Sequence, residues 1–326
     1  MTTRIVAVIG CGRIGQVHAR NLAGRVILDC CDQVPGRAER LRSKVKGRTA
    51  FARFEDVLER ADIEAVILAT PPQAHCEQIL RSLEAGKAVL VEKPLCAAPR
   101  ELPKIEQALA GRQGACLMVA ENYYYKPSVH LLKDLLAQGT IGPLTSATVR
   151  KTVLQASASW KTELGALLEG GIHFVALLSA LFDAEPVDVK AEFPGRLPGQ
   201  PERHSITRLQ YPGGASAELR YAWDTPAFAK GLFQHSRLSG RDGEIVFESN
   251  GLYARLRRRN ANTWYFPGVR DLMGYHAMID DFLACLADRS RVPVSDFRRA
   301  KRDLTIVFRA YGDAGPGAGG AAEALE

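Results

Sequence analysis

The sequence predicts an α/β protein: a doubly wound parallel sheet followed by an α+β domain with an open, mainly antiparallel sheet. Over about the first 120 residues, short β-branched runs alternate with amphipathic helical patterns, which is typical of parallel strands joined by crossover helices. After Ala120, longer strand patterns linked by turn signals dominate. With 326 residues and 46% hydrophobic content, the chain is long enough for roughly two domains.

The predicted first domain covers residues 1–121 and has the pattern of a Rossmann-type nucleotide-binding domain. Its strands are expected at 4–9, 26–31, 65–69, 88–91 and 116–120. The helices between and after them are expected at 14–22, 36–45, 54–60, 74–85 and 99–110. Glycine or proline marks most of the joints, which supports these boundaries.

The predicted second domain covers residues 122–311, and its last helix can pack back on the first domain. Its strands are expected at 144–153, 187–193, 205–211, 215–223, 234–239, 244–248 and 252–257. Its helices are expected at 128–137, 170–182, 275–287 and 297–311. Residues 312–326 are rich in glycine and alanine, lack apolar periodicity and are expected to form a flexible tail.

Composition and charge argue against several classes of protein. No segment approaches the ~20 consecutive apolar residues of a membrane span, and the N-terminus enters an apolar strand without a leader, so a cytoplasmic location is expected. The net charge is +7, but the basic residues are dispersed apart from a run at 255–259, so nucleic acid is not an expected partner. The seven cysteines show no C-x-x-C pair and are expected to be reduced core thiols without metal.

A phosphate-binding pattern follows the first strand. The motif G-x-G-x-x-G occurs at residues 10–15, directly after a strand and at the start of a helix. Glycines allow a tight turn there and let backbone N–H groups and the helix N-terminus approach a pyrophosphate. The expected dinucleotide contacts from this segment are Gly10, Gly12, Arg13, Ile14 and Gly15.

Asp32 ends the second strand and predicts which dinucleotide is bound. A carboxylate at this position can accept hydrogen bonds from both hydroxyls of the adenosine ribose and repels a 2′-phosphate, which favours NAD over NADP. Asp29 is an alternative candidate for the same contact, and Arg37 is a cation that can approach a 2′-phosphate.

Several further segments closely resemble the glucose-fructose oxidoreductase, inositol dehydrogenase and rhizopine-catabolism oxidoreductase family, and the similarity covers essentially the whole chain. The most specific segment is EAGKAVLVEKP at 84–94. The others are ATPPQAH at 69–75, AENYYY at 120–125, Trp160 with Lys161, EGGIH at 169–173 and the helix at 275–286. The resemblance implies a Rossmann domain followed by a domain whose open sheet serves oligomerisation, so a homodimer or homotetramer is expected.

The resemblance also implies an active site. In this family the lysine of Glu-Lys-Pro and the histidine of an acid-x-x-x-His motif meet at the nicotinamide, and they correspond here to Lys93, Glu169 and His173. The chemistry agrees, because alcohol oxidation needs a base for the hydroxyl proton and a cation that stabilises the developing alkoxide. Glu169 and His173 are four residues apart, so they share one face of a helix, where Glu169 can orient His173 or share its proton.

The remaining expected contacts lie around these residues. Thr70, Pro71, His75 and Glu92 are expected near the cofactor, and Asn122, Tyr123 and Trp160 are expected to line the substrate pocket. The Lys93–Pro94 peptide bond is expected to be cis, because X-Pro bonds are where cis peptides occur.

The chain departs from the family pattern at two positions. The family usually has aspartate where this chain has Glu169, and often a second aspartate where this chain has Ala176. Glutamate is one methylene longer, so its carboxylate must sit back from the substrate or bind a different hydroxyl. The glycine cluster that normally precedes the acid is reduced to Gly165 alone.

Together these observations predict reversible NAD-dependent hydride transfer at a carbinol carbon of a sugar, inositol or related polyol. In the cell the direction can be ketone reduction. A second hypothesis is a redox-neutral lyase or glycosidase that uses NAD transiently and exchanges substrate hydrogen with solvent. A third is a non-catalytic NAD-binding sensor, which the set Lys93, Glu169 and His173 argues against.

Overall fold

A computed structural model describes residues 4–112, 114–154 and 163–313. The described residues fall into two compact units, one within 1–121 and 275–301 and the other within 122–274 and 302–326. The fold class expected from the sequence is confirmed, since one unit contains a parallel sheet and the other a mainly antiparallel sheet.

The first unit is a six-stranded parallel sheet in the order β3-β2-β1-β4-β5-β6. Its strands are β1 (Ile5–Ile9), β2 (Ile27–Cys31), β3 (Ala50–Phe51), β4 (Ala65–Leu68), β5 (Ala88–Val91) and β6 (Leu117–Val119). The central strands are buried apolar runs, as expected for a sheet covered on both faces. The strand order reverses beside β1, at the kind of switch point where open α/β sheets bind ligands.

The helices of this unit follow the predicted alternation. They are α1 (Arg13–Leu22), α2 (Arg37–Val45), α3 (Phe54–Leu58), α4 (His75–Glu84) and α5 (Leu102–Ala110). The two-residue strand β3 was not predicted, because a segment this short has no measurable periodicity.

The second unit is built around an eight-stranded sheet in the order β14-β13-β12-β11-β7-β10-β9-β8. Neighbouring strands are antiparallel except β7 and β10, which are parallel. The strands are β7 (Leu144–Thr152), β8 (Asp188–Glu192), β9 (His204–Gln210), β10 (Ser216–Ala222), β11 (His235–Gly240), β12 (Glu244–Glu248), β13 (Ala254–Arg258) and β14 (Ala261–Tyr265). β14 was not predicted, because its side chains are mostly exposed and show no apolar alternation.

Two helices, α6 (Pro127–Ala137) and α7 (Ile172–Phe182), pack against each other, and α7 also lies against β7 and β10. A π-helical turn at Leu167–Gly171 leads into α7. α7 is apolar almost all round, and Phe174, Val175, Leu177 and Leu178 are buried. It is therefore a core helix of this unit.

Two late helices complete the chain, α8 (Tyr275–Ala287) and α9 (Phe297–Asp313). The segment Tyr275–Lys301, which the sequence analysis placed in the second domain, groups with the parallel sheet. The reason is packing: Met278, Ile279 and Phe282 of α8 are completely buried, and the Val119 N–H donates to the Ser295 carbonyl over 2.9 Å. α9 includes Gly312 and Asp313, and the remainder of the predicted tail, 314–326, lies outside the described residues.

All seven cysteines are buried and none forms a disulfide, as the sequence predicted. Burial raises the pKa of Cys31 to about 12 and that of Cys116 to about 11, so both are unreactive thiols. In the described part of the chain, no helix combines the length and apolar character that crossing a membrane requires.

The packing of α8 gives a stability prediction. Replacing Phe282 with Ala deletes a completely buried ring and is expected to lower the free energy of unfolding by about 3–5 kcal/mol in a urea titration. The control Val292→Ala, at a residue that is 70% exposed, should change it by less than about 0.5 kcal/mol. Equal effects of the two substitutions would contradict this placement of α8.

Candidate active site

The carboxyl ends of the central strands of the parallel sheet lie in register. Ile9 pairs with both Cys31 and Leu68, and Leu68 pairs with Val91. Backbone hydrogen bonds continue one residue further, from Gly10 N–H to Cys31 O (2.8 Å), from Ala69 N–H to Ile9 O (2.8 Å) and from Glu92 N–H to Leu68 O (2.9 Å). This register brings four segments to one edge of the sheet: the G-x-G-x-x-G motif at 10–15, called the fingerprint below, Asp32, the segment at 69–75 and the Glu-Lys-Pro segment at 92–94.

The fingerprint loop depends on glycine at two positions. Gly10 has φ +91°, and a Cβ there would lie 2.5 Å from the carbonyl oxygen of Ala69. A Cβ at Gly15 would lie 1.9 Å from the carbonyl oxygen of Gly10, so α1 can approach β1 closely only with glycine there.

Gly12 is the N-cap of α1 and faces open space, with no described atom within 4 Å of where its Cβ would be. The N-cap therefore has no side chain to satisfy the first N–H groups of α1, and these groups can bind an anion instead. Arg13, which is exposed, and Ile14 begin the helix beside them. An open helix N-terminus bordered by glycine fits the pyrophosphate of a dinucleotide.

Asp32 is held in place by the loop that it faces. Its Oδ2 accepts a hydrogen bond from the Cys11 N–H (2.8 Å) and its Oδ1 accepts one from the Val34 N–H (2.8 Å). The guanidinium of Arg37 lies 3.8 Å from Oδ2. The carboxylate is thus fixed next to the fingerprint, where a ribose would lie.

The alternative candidate Asp29 has a structural role instead. It is completely buried and accepts hydrogen bonds from the Arg48 side chain and, over 3.0 Å, from the Thr49 N–H. The carboxylate of Asp29 is therefore already engaged within the protein, by Arg48 and Thr49.

A pocket of about 310 Å³ opens beside the fingerprint and is strongly basic. It is lined by Cys11, Gly12, Gln16, Arg37, Arg40, Leu41 and Lys44. Three cations around one pocket attract phosphate groups. Discrimination against a 2′-phosphate would therefore depend on the neighbouring Asp32 carboxylate.

Residues of the segment at 69–75 hold the loops at this edge of the sheet together through hydrogen bonds. The ring nitrogens of His75 lie 2.9 Å from the Pro94 carbonyl oxygen and 3.0 Å from that of Thr70, and burial lowers the pKa of this histidine. Pro71 is exposed, and the Thr70 hydroxyl donates to Gln78 over 2.6 Å. His75 is completely buried, so it tethers the loops that end β4 and β5 and presents no exposed surface to a ligand.

Lys93 follows β5 and is half-buried, and the Lys93–Pro94 peptide bond is cis, as predicted. The preceding Glu92 is buried; its Oε1 lies 2.6 Å from Nε2 of His18, and its Oε2 accepts the Lys93 N–H over 3.2 Å. The carboxylate of Glu92 therefore orients the backbone that carries Lys93.

His18 and its neighbour Tyr275 also contribute to this edge and were not predicted from the sequence to do so. His18 is completely buried on α1, and Tyr275 packs edge-on against it with a centroid separation of 6.3 Å. Burial and the carboxylates of Glu92 and Glu121 raise the pKa of Tyr275 to about 12. A histidine on the buried face of the helix after the fingerprint was the available signal for His18.

In the second unit, His173 is half-buried in the first turn of α7, and its ring stacks on Tyr123 at a centroid separation of 5.1 Å and an angle of 18°. Tyr123 is 7% exposed, and the ammonium of Lys126 lies 4.5 Å from its ring centroid. These contacts fix the plane of the imidazole.

Glu169 lies in the π-helical turn and is buried. The predicted spacing on one α-helical face is therefore altered, because a turn with i→i+5 hydrogen bonding stands between Glu169 and α7. π-Helical turns of this kind are frequent at functional sites.

Tyr221 is a neighbour of this turn that the sequence analysis did not single out. A Cβ at Gly170 would lie 2.0 Å from its hydroxyl oxygen, so the tyrosine packs directly on the backbone next to Glu169. Burial and the charge of Glu169 raise the pKa of Tyr221 well above its usual value. In the sequence, the alternation of Tyr221 with polar residues along β10 indicated only that its side chain is buried.

Of the three expected substrate-pocket residues, Asn122 is buried, and its side-chain amide donates to the Met273 carbonyl over 2.6 Å. Tyr123 contacts His173 as described above. Trp160 lies outside the described residues. Ala176, where the family often has aspartate, is completely buried in α7.

Comparison with known proteins decides the family. A family model described as an oxidoreductase family with an NAD-binding Rossmann fold matches residues 4–121, and the C-terminal domain model of GFO/IDH/MocA proteins matches residues 129–246. The chain belongs to the glucose-fructose oxidoreductase, inositol dehydrogenase and rhizopine-catabolism oxidoreductase family. The resemblance inferred from the sequence motifs is confirmed.

Individual relatives are distant. A trans-1,2-dihydrobenzene-1,2-diol dehydrogenase of Mus musculus is 33% identical over 55% of this chain and 54% of its own length. An inositol 2-dehydrogenase of Gluconacetobacter diazotrophicus is 29% identical over 85% of this chain and 84% of its own. The chain spans about half the length of several curated relatives that it matches.

Solved structures agree on the fold. A levoglucosan dehydrogenase in complex with NADH and levoglucosan matches with a TM-score of 0.83 and 19% identity, and the match covers 96% of this chain and 98% of that one. At this identity the likeness concerns the fold alone. The matched family model has an NAD-binding Rossmann fold, and the open N-terminus of α1 and the position of Asp32 fit NAD.

The basic pocket generates a prediction about cofactor choice. The substitution Asp32→Ser removes the charge that repels a 2′-phosphate but leaves Arg37, Arg40 and Lys44 in place. The ratio of Kd for NADP to Kd for NAD should fall by about 10-fold or more, equivalent to about 1.4 kcal/mol, in calorimetric titrations with each cofactor.

The matched control is the double substitution Asp32→Ser with Arg37→Gln. It should lose a large part of the gain in NADP affinity, because Arg37 is the cation nearest Asp32. An unchanged ratio in the single variant would show that Asp32 does not select the cofactor.

Proposed function

We propose that this protein is an NAD-dependent oxidoreductase that transfers hydride between nicotinamide and a secondary alcohol or ketone carbon of a sugar, inositol or related polyol. One observation carries the proposal: this member of the family has Lys93, Glu169 and His173 together with a cofactor loop that fits NAD. The names of relatives support the substrate class, since they include inositol 2-dehydrogenase and levoglucosan dehydrogenase.

In the oxidative direction, His173 accepts the hydroxyl proton of the substrate on its imidazole. Its stacking on Tyr123 limits rotation of the ring, so the accepting nitrogen keeps one direction. Lys93 stabilises the negative charge that develops on the substrate oxygen. When bound, NAD supplies the nicotinamide carbon that accepts or returns the hydride.

Glu169 supports His173, either by orienting the imidazole or by sharing its proton. Its burial beside Tyr221 excludes water from the carboxylate, which strengthens its electrostatic effect on nearby groups. Because glutamate replaces the family's usual aspartate and Ala176 supplies no second carboxylate, we expect a substrate whose hydroxyl pattern differs from that of relatives with both acids. Asn122, Tyr123 and Trp160 are proposed to line its pocket, and the cellular direction can be ketone reduction.

We further propose a cytoplasmic homodimer or homotetramer without nucleic-acid or membrane partners. The family resemblance supports assembly through the exposed face of the eight-stranded sheet. Light scattering after size exclusion would measure the number of copies.

The test of the proposed activity is NADH formation by the purified chain with NAD and a panel of inositols, aldoses, sugar phosphates and nucleotide sugars. One class is expected to give NADH, and Lys93→Met is expected to lower kcat by at least about 100-fold, because it removes the charge that stabilises the developing alkoxide. The control Lys104→Met, at an exposed lysine of α5, should leave kcat unchanged.

Undiminished NADH formation by Lys93→Met would refute the role of Lys93. Exchange of substrate hydrogen with solvent without net NADH would instead identify a redox-neutral enzyme. Cofactor binding with neither turnover nor exchange across the panel would favour a sensor.

A further inference from the structure

The helical segment that carries Glu169 and His173 begins with backbone N–H groups that its own turns cannot satisfy. Two residues from distant parts of the second unit satisfy them. The Ala166 N–H donates to the backbone carbonyl of Glu202 (2.9 Å), the Leu167 N–H donates to the Glu202 carboxylate (2.8 Å), and the Leu168 N–H donates to the Tyr311 hydroxyl (3.1 Å).

The two capping side chains also bind each other. The Tyr311 hydroxyl donates to Oε1 of Glu202 over 2.7 Å, and this is the same oxygen that accepts the Leu167 N–H. The Tyr311 ring is in turn stacked on Phe193 with a centroid separation of 5.3 Å. Each capping group is therefore held by a contact other than the one it makes to the helix.

Space for the carboxylate comes from Gly165. A Cβ at this position would lie 1.9 Å from Oε2 of Glu202, so any larger residue would displace the carboxylate. Glu202 is completely buried, burial raises its pKa, and no described residue hydrogen-bonds to Oε2. Burying a carboxylate costs free energy, and the hydrogen bonds from the Leu167 N–H and the Tyr311 hydroxyl, together with the favourable field of a helix N-terminus, offset that cost.

The cap has a direct consequence for the site. Glu169 immediately follows Leu168, whose N–H is held by Tyr311, and His173 lies one turn further along. On the other side, the Tyr221 hydroxyl packs on Gly170. The π-helical turn is thus fixed at its start by Glu202 and Tyr311 and along its length by Tyr221.

We propose that Glu202 and Tyr311 are positioning residues, whose shared cap fixes the turn that aims Glu169 and His173. The expected effect on kcat rests on the proposed function. The expected effect on the conformational order of the turn rests on the hydrogen-bond geometry alone.

The test compares four variants of the full chain. Glu202→Ala should lower kcat by about 100-fold and Tyr311→Phe by about 10-fold, since displacements of about 1 Å at reacting groups cost rates of this order. Glu202→Gln retains the Oε1 acceptor and should stay within about threefold of the unsubstituted chain. Kd for NAD should be unchanged in all of them, because the cofactor contacts lie in the first unit.

Tyr211→Phe is the matched control. Its hydroxyl is buried in the same unit without a hydrogen-bond partner among the described residues, and its ring stacks on Phe182 at the far end of α7. This variant removes a buried tyrosine hydroxyl but no contact to the capped turn, so it should not change kcat.

Hydrogen exchange followed by mass spectrometry gives a readout that needs no substrate. Peptides covering residues 164–175 should exchange faster in Tyr311→Phe and Glu202→Ala than in Tyr211→Phe, while peptides of the parallel sheet stay protected. Should the unsubstituted chain turn over no polyol but show this local exchange, the proposed function fails and the cap stands.

Two results would overturn the proposal. One is unchanged kcat and unchanged exchange at 164–175 in Tyr311→Phe, which remains informative even where Glu202→Ala does not fold. The other is a fall in kcat accompanied by weaker NAD binding and loss of protection throughout the chain, because that pattern indicates general destabilisation.

Discussion

The N-terminus of a helix leaves backbone N–H groups without partners, and two helices of this protein, one in each unit, meet this constraint in opposite ways. α1 begins at Gly12, which has no side chain and faces open space, so its N–H groups are available to an external anion. In the segment leading into α7, the first N–H groups donate instead to the protein's own side chains, the carboxylate of Glu202 and the hydroxyl of Tyr311. One terminus is open to an external ligand, and the other is closed by the protein's own side chains.

The parallel sheet adds a second constraint, because its strands end in register. Hydrogen bonds between adjacent strand ends place the fingerprint, Asp32, Thr70 and Glu92 along one edge. Buried histidines then tether the loops that leave this edge: His75 contacts the carbonyl groups of Thr70 and Pro94, and His18 contacts Glu92. Lys93, which follows β5, is therefore carried by a backbone that these contacts hold in place.

Local signals in the sequence were sufficient for much of this architecture. Some features depend only on residues close together in the chain and can be recognised from the sequence. They are the fingerprint, the apolar strand runs, the cis bond before Pro94 and the family motifs. The structural role of Asp29 could not be recognised in this way, because its pairing with Arg48 is a tertiary contact. Glu202, Tyr311 and Tyr221 were missed for the same reason, and the edge strands β3 and β14 were missed because neither shows apolar periodicity.

The most direct test of the account is NAD binding by Gly12→Asp. Gly12 has φ −70° and room for a side chain, and aspartate is a favourable N-cap, so the substitution should keep or raise the melting temperature. The new carboxylate would take the place of the pyrophosphate and repel it, so calorimetry should show NAD affinity reduced by about 100-fold or more. Undiminished NAD binding by a folded Gly12→Asp protein would contradict the claim that the open N-terminus of α1 holds the cofactor.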